Sequence, residues 1–422
     1  MVKLSNNPSV FPASISKLDN GLTVIHQHIS ASPVVVADVW VRAGAAMEPE
    51  PWFGMAHFLE HMIFKGTEVL PPGVFDYVIE NQGGMTNAAT SHDYAHFFIT
   101  TAPAYLETTL PYLAELLLNA AIPEDEFIRE RDVVLEEIRA CTDDPDMLAF
   151  QALSESIYQG HPYGRPVLGT ERELMQMSCD NMRSFHRAHY QPENMTVVIV
   201  GGIPYEEALS IVSQSFQCFA SPSYCPLSPP PTQPVLAGVR RQELHLPRLE
   251  GARLLMAWTG PGVEQIRTAY GLDLLSVLLA HGRTSRLVRD LREELRLVQG
   301  VSSNFSLQRD SSLFTINVWL QAEELETVES VIRSHLADLQ NTPISTQELA
   351  RAQRLLCNDY AFSTETPHQL TGLYGYYNTI AQAELSVTYP QQIKSFDTQE
   401  LQNLAQEYLS PHHYAVTILK PC

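Results

Sequence analysis

The feature that most limits how this 422-residue chain can fold is that it carries one pattern twice. In the first half an apolar, β-branched run, "VVVADVWVRAG" at 34–44, leads into a segment of helical periodicity, "FGMAHFLEHMIFKGTEVL". A strand-like "HDYAHFFITTA" follows, and "NMTVVIVGG" at 194–202 comes last. In the second half "ARLLMAWTGPG" at 252–262, "AYGLDLLSVLLAHGRTSRL", "SSLFTINVWLQ" and "HHYAVTILKP" occur in the same order. Alternating strand-period and helix-period runs call for sheets packed under helices, and recurrence of the whole order calls for one α+β unit built twice. Length agrees, because single hydrophobic cores stop growing well below this size. Between the copies lies "ASPSYCPLSPPPTQPVLAG", whose clustered prolines lack amide donors and favour extended chain. The expected organisation is an N-terminal domain over 1–220, a linker over 221–238 and a C-terminal domain over 239–422, each a mostly antiparallel sheet packed with helices.

Only the first copy contains "HFLEH", residues 57–61. On a helix at about 100° per residue, His61 lies roughly 40° from His57 and Glu60 roughly 60° away on the other side, while Phe58, Leu59, Met62 and Ile63 share the opposite face. One face packs, and the other gathers three ionisable groups. Histidines at i and i+4 stand one turn apart and can converge on a single ion. Zinc suits nitrogen donors, and a catalytic zinc takes three protein ligands plus water. HxxEH is the inverzincin order, in which Glu60 stays uncoordinated and available as a base. The competing use of the same spacing is a pair of core histidines satisfied by backbone carbonyls.

A third ligand belongs on another element. "PEDEFIRERDVVLEEIRACTDDPD", 123–146, opens with proline and three acids, a good helix start. Seven residues make almost two turns, so Glu130 and Glu137 share a stripe that Val133 and Val134 are expected to flank, with Phe127 and Ile138 nearby; Glu136 points away. A carboxylate turned toward apolar surroundings must be paired, metal-bound or protonated. Glu137 is therefore the expected third ligand and Glu130 an auxiliary acid; salt bridges to Arg131 or Arg139 are the alternative.

The formal charge of -21 and pI near 5.1 argue against binding to phosphate backbones or anionic lipid. They fit either plain solubility or attraction of basic polypeptides. No apolar run reaches the roughly 18 residues of a membrane span, and the N-terminus lacks a secretory pattern. Six cysteines without CxxC spacing suggest reduced thiols and a cytoplasmic protein.

HFLEH, with Glu137 in "ERDVVLEEI" 76 positions after His61, resembles the pitrilysin family of zinc metallopeptidases, which includes insulin-degrading enzyme and the mitochondrial processing peptidase. "LDNGLTVI", "GMAHFLEHMIFKGT", "GGMTNAATSHDYAHF", "HPYGRPVLGT", "YQPENMTVVIVGG" and "GRTSRLVRDLREELRLV" resemble family segments too, and the length is that of the short, two-domain, bacterial-type members. The resemblance implies one zinc ion per chain on His57, His61 and Glu137, with Glu60 activating water and Glu130 in support. It implies an edge strand at Asn87, Ala88 and Thr90 that pairs with an extended peptide; the other reading of Gly83-Gly84 is a turn before an ordinary strand. It also implies a second, homologous chain, as a homodimer or heterodimer. Active members complete the site with an arginine and a tyrosine seven positions apart. Here Tyr374, Tyr376 and Tyr377 are preceded at that spacing by Pro367, Gln369 and Leu370, which leaves open a non-catalytic or partner-dependent core subunit.

Overall fold

The computed structural model describes residues 11–422 except 227, 229–235 and 248, so part of the expected linker lies outside the described residues. The chain has an α+β fold with two sheets. The first has the order β1-β2-β6-β3-β5-β4, from β1 (Ser14–Lys17), β2 (Thr23–His28), β3 (Val35–Val41), β4 (Met85–Thr90), β5 (Ala95–Thr101) and β6 (Met195–Gly201). The second has the order β7-β11-β8-β10-β9, from β7 (Val239–Leu246), β8 (Ala252–Pro261), β9 (Val298–Leu307), β10 (Ser311–Leu320) and β11 (Tyr414–Pro421). Counterparts by position are β2 and β7, β6 and β11, β3 and β8, β5 and β10, β4 and β9. Each sheet has one parallel pair, β2 with β6 and β7 with β11, and the rest is antiparallel. The repeat read from the sequence is thus a repeat of topology, with β1 added through the hairpin turn at Asn20-Gly21.

Sequence pattern sorts strands by position in the sheet. "VVADVWV" and "MTVVIVG" are buried at every residue, because β3 and β6 are central and covered on both faces. "MTNAAT" and "VRRQELHL" alternate between exposed and half-buried, as edge strands do. The helices are α1 (Met55–Ile63), α2 (Val74–Asn81), α3 (Leu106–Asn119), α4 (Glu124–Asp143), α5 (Pro145–Tyr158), α6 (Glu171–Leu174), α7 (Cys179–His189) and α8 (Tyr205–Ser215), then α9 (Ile266–Ala280), α10 (Leu325–Asn341), α11 (Thr346–Phe362), α12 (Pro367–Ile380), α13 (Tyr389–Lys394) and α14 (Thr398–Tyr408).

The chain divides into two compact units that are not contiguous in sequence. One comprises Met1–Ile138, Pro166–Pro230 and Phe362–Thr388; the other comprises Arg139–Arg165, Pro231–Ala361 and Tyr389–Cys422. In the first unit, Val35, Ala37, Val39, Phe97 and Ile99 meet Phe58, Leu59 and Met62 of α1 and the leucines of α3. The reverse face of that sheet, with Ile25, Trp40, Val198 and Val200, is covered by Leu370 and Tyr374 of α12. In the second unit, Leu254, Met256, Phe314 and Ile316 pack under α9, α10 and α14, while α5 covers β7, β8 and β11. Each sheet therefore takes one covering helix from the other half of the sequence.

Candidate metal centre

Helix α1 begins where two backbones touch. Gly54 has φ 93°, and a Cβ there would lie 2.5 Å from the Leu168 carbonyl oxygen; a Cβ on Gly169 would lie 2.4 Å from that of Phe53. Only glycine fits either place. The Glu48 carboxylate, 1% exposed, accepts from the amides of Gly54 (2.9 Å) and Ala56 (2.8 Å), satisfying donors that a helix start leaves unpaired. Its fully buried Phe58, Leu59, Met62 and Ile63 clamp the helix to the sheet, which turns His57, Glu60 and His61 toward α4 and β4.

Three side chains meet there. Glu137 Oε2 lies 3.6 Å from His57 Nε2 and 3.5 Å from His61 Nε2, and the donor atoms all lie within 4.8 Å of one another. Ligands about 2.0–2.1 Å from a tetrahedral zinc stand about 3.3 Å apart, so the two histidine–carboxylate spacings fit that ion with only small adjustment. Burial, reinforced by the neighbouring His61, holds His57 down to about 4, so at neutral pH the ring is uncharged and one of its nitrogens keeps a lone pair. Two imidazoles and a carboxylate are a zinc donor set.

Around the triad, Glu60 accepts a hydrogen bond from the Thr90 hydroxyl at 2.6 Å. Burial pushes its carboxyl up from the ordinary range, against the opposing pull of that hydroxyl and of His61 and His96. Glu130 lies at the same place: one oxygen is 2.9 Å from His61 Nδ1, the other 2.6 Å from Lys65 Nζ. Burial works against its ionisation, but Lys65 and His61 together hold the carboxyl below the usual value.

The stripe on α4 is rotated from the expected one. Phe127, Glu130, Val134 and Leu135 are buried, but Val133, beside the carboxylates by helical spacing, is 50% exposed and gives them no apolar cover. The buried face centres on the Val134 side of Glu130, about 60° round the helix. Glu137 therefore sits at its rim, its side chain 41% exposed, where a ligand can face both the histidines and solvent. Asn87, Ala88 and Thr90 lie on β4, which among the described residues pairs only with β5 and forms the sheet's edge. Tyr374 is 1% exposed and donates to Gln27, and Tyr376 packs edge-on against Tyr94. Sequence reasoning missed Glu48, Lys65 and the Thr90 hydroxyl. Lys65 carried a signal, standing four residues after His61; Glu48, six residues before Gly54, carried none.

The model of the insulinase family, peptidase family M16, matches residues 23–171, and that of the peptidase M16 inactive domain matches 176–356. The zinc protease PqqE of Helicobacter pylori is 28% identical over 408 residues, 96% of this chain and 92% of that protein. The uncharacterized zinc protease YmxG of Bacillus subtilis is 28% identical over 353 residues, 82% and 83% of the two chains. Among solved structures, a protease from Helicobacter pylori superposes with a TM-score of 0.89 at 27% identity, covering 97% of this chain and 99% of the other. Pitrilysin shares the fold, with a TM-score of 0.79 at 20% identity over 97% of this chain and 44% of its own.

Proposed function

The chain belongs to the insulinase family of peptidases, family M16, and from that premise we propose that it is a zinc-dependent endopeptidase hydrolysing peptides or unfolded polypeptide segments. The observation that carries the reading is the convergence of His57, His61 and Glu137 from two helices, with the Glu60 carboxylate beside them. His57 and His61 through Nε2, and Glu137 through Oε2, would hold one zinc ion per chain. Zinc bound there supplies a Lewis acid that polarises a carbonyl and acidifies water. Glu60 takes a proton from the attacking water onto its carboxylate and returns it to the leaving amine as the C–N bond breaks. The raised affinity of Glu60 for protons suits that exchange. Glu130 holds the Nδ1 side of His61. The free edge of β4, with Asn87, Ala88 and Thr90, offers amides and carbonyls to an extended peptide; pairing through the main chain accepts many sequences.

The working form is a pair of homologous chains enclosing a chamber. A second reading, a partner-dependent or non-catalytic core subunit, is favoured by one observation: no arginine stands seven residues before Tyr374, Tyr376 or Tyr377, and Tyr374 and Tyr376 are engaged in packing. The purified chain with zinc is expected to cleave a quenched-fluorescence peptide, to stop on chelation, and to recover on re-addition. Glu60→Gln is expected to bind zinc normally and to lose about 10²–10⁴-fold in rate. Cleavage untouched by chelator or by Glu60→Gln would refute the proposal, and zinc binding with cleavage only after adding a homologous chain would select the second reading.

A further inference from the structure

We propose that Lys65 is a positioning residue of the metal centre, holding Glu130 so that its carboxylate fixes the orientation and tautomer of His61. The inference rests on the zinc reading above. Lys65 follows the end of α1 by two residues and stands one turn beyond His61. The Glu130 carboxylate bridges the two, with Oε2 2.6 Å from Lys65 Nζ and Oε1 2.9 Å from His61 Nδ1. Its side chain is only 11% exposed, and a carboxylate so enclosed keeps its place only with charged or donating partners.

Lysine has donors and no acceptor, so it fixes Glu130 as an acceptor toward both neighbours. The carboxylate then accepts the Nδ1 proton of His61, and Nε2 keeps its lone pair, 3.5 Å from Glu137 Oε2. A metal-ligating histidine ordinarily depends on such a partner for ring orientation and basicity. His57 is different: its Nδ1 is buried with no hydrogen-bond partner among the described residues. The bridge through Lys65 is thus where the outer contacts of this centre are concentrated. Neither composition nor the HxxEH spacing identifies it, because the Lys65–Glu130 pair joins residues 65 positions apart.

The test uses the full chain, Lys65→Met and Lys65→Arg, each alone and in a Glu130→Gln background, with zinc affinity measured by competition against a chromophoric chelator. Lys65→Met is expected to weaken zinc binding about 10–100-fold, with Lys65→Arg close to wild type. In the Glu130→Gln background Lys65→Met should add less than about twofold, the mark of a shared route. Long-range 1H–15N spectra of the metal-free protein should place the His61 proton on Nδ1 in wild type and on both nitrogens in Lys65→Met.

Unchanged zinc affinity in Lys65→Met beside a loss in Glu130→Gln would overturn the proposal. So would an equal loss in both backgrounds, or a lowered melting temperature with an unaltered His61 ring, which marks simple anchoring of α1 to α4. A wild-type chain that binds no zinc overturns the functional reading together with this one; zinc lost in His57→Ala but indifferent to Lys65→Met overturns this one alone. Should Lys65→Met fail to fold, Lys65→Leu, which likewise lacks a donor, makes the same comparison.

Discussion

Thr90 donates its hydroxyl proton to Glu60 at 2.6 Å from a strand whose other edge is unpaired among the described residues. On the proposed function the side chain and the main chain of one residue serve different tasks: the hydroxyl would aim the base, and the backbone would belong to the edge that pairs with peptide. Removing the hydroxyl leaves a largely enclosed carboxylate without its donor, and hydrogen bonds to charged groups are worth about 1.5–3 kcal/mol. Thr90→Val is expected to lower kcat about tenfold or more, with KM nearly unchanged because β4 keeps its shape, and Thr90→Ser should restore most of the rate. Steady-state kinetics on a peptide substrate checks the division. Asp273 is a second residue whose surroundings set a measurable property. Burial raises its carboxyl to about 6, against the hydrogen bond from Tyr389 and with a push from Asp359. The folded chain then holds a proton that the unfolded chain releases near its ordinary value of 3.8. Its stabilising effect is full below that value and is lost as pH rises through about 6. The gap between the folded and unfolded values corresponds to at most about 3 kcal/mol. Denaturant melts at pH 5 and pH 8 should show about half of this loss in the wild type, the rest falling below pH 5, and a smaller one in Asp273→Asn.

Helix α12 lies against the first sheet because Gly375 has no side chain: a Cβ there would stand 2.1 Å from Trp40 Nε1. The ring it approaches is 3% exposed and stacks on His96, so it cannot swing aside cheaply. Gly375→Ala is expected to cost about 1–3 kcal/mol by overpacking, despite alanine's better helix propensity; a lowered midpoint in urea would register it, and an unchanged or raised midpoint would contradict the contact. Helix α1 obeys the same logic at the candidate metal centre. It is only nine residues long, too short to be stable alone, and its direction comes from four apolar side chains, the Glu48 carboxylate and two touching glycine backbones. Alternation and periodicity mark β2, β3, β5, β6, β8, β10, β11 and α1, the helix down to which face packs, but they do not mark β7 or β9. On α4 the same reasoning placed Glu130 and Glu137 on one stripe but set Val133 beside them, and the structure exposes it. Spacing reports which residues share a face; how far that face turns toward the core depends on what packs against it.

The two compact units each borrow a segment from the opposite half of the sequence, 139–165 in one case and 362–388 in the other. A fragment ending at residue 220 would lose α12 and uncover Ile25, Trp40, Val198 and Val200. At about 1.5–3 kcal/mol for each large side chain, that exposure rivals the roughly 5–15 kcal/mol stability of a whole domain. Such a fragment is expected to bind hydrophobic dyes and to lack near-UV circular dichroism, whereas the full chain should do neither; a fragment that folds with sharp tertiary signals would show that α12 is dispensable. The amino-acid sequence by itself determined the repeated order of strands and helices, the apolar and ionisable faces of α1 and the presence of two carboxylates on one stripe of α4, because each is written in residue spacing along a single element. Only the tertiary structure decided that α5 and α12 cover the sheets they do, that Lys65 meets Glu130 and that Thr90 aims Glu60. Those partnerships join residues far apart in the chain, and burial of whichever surfaces fit together selects them.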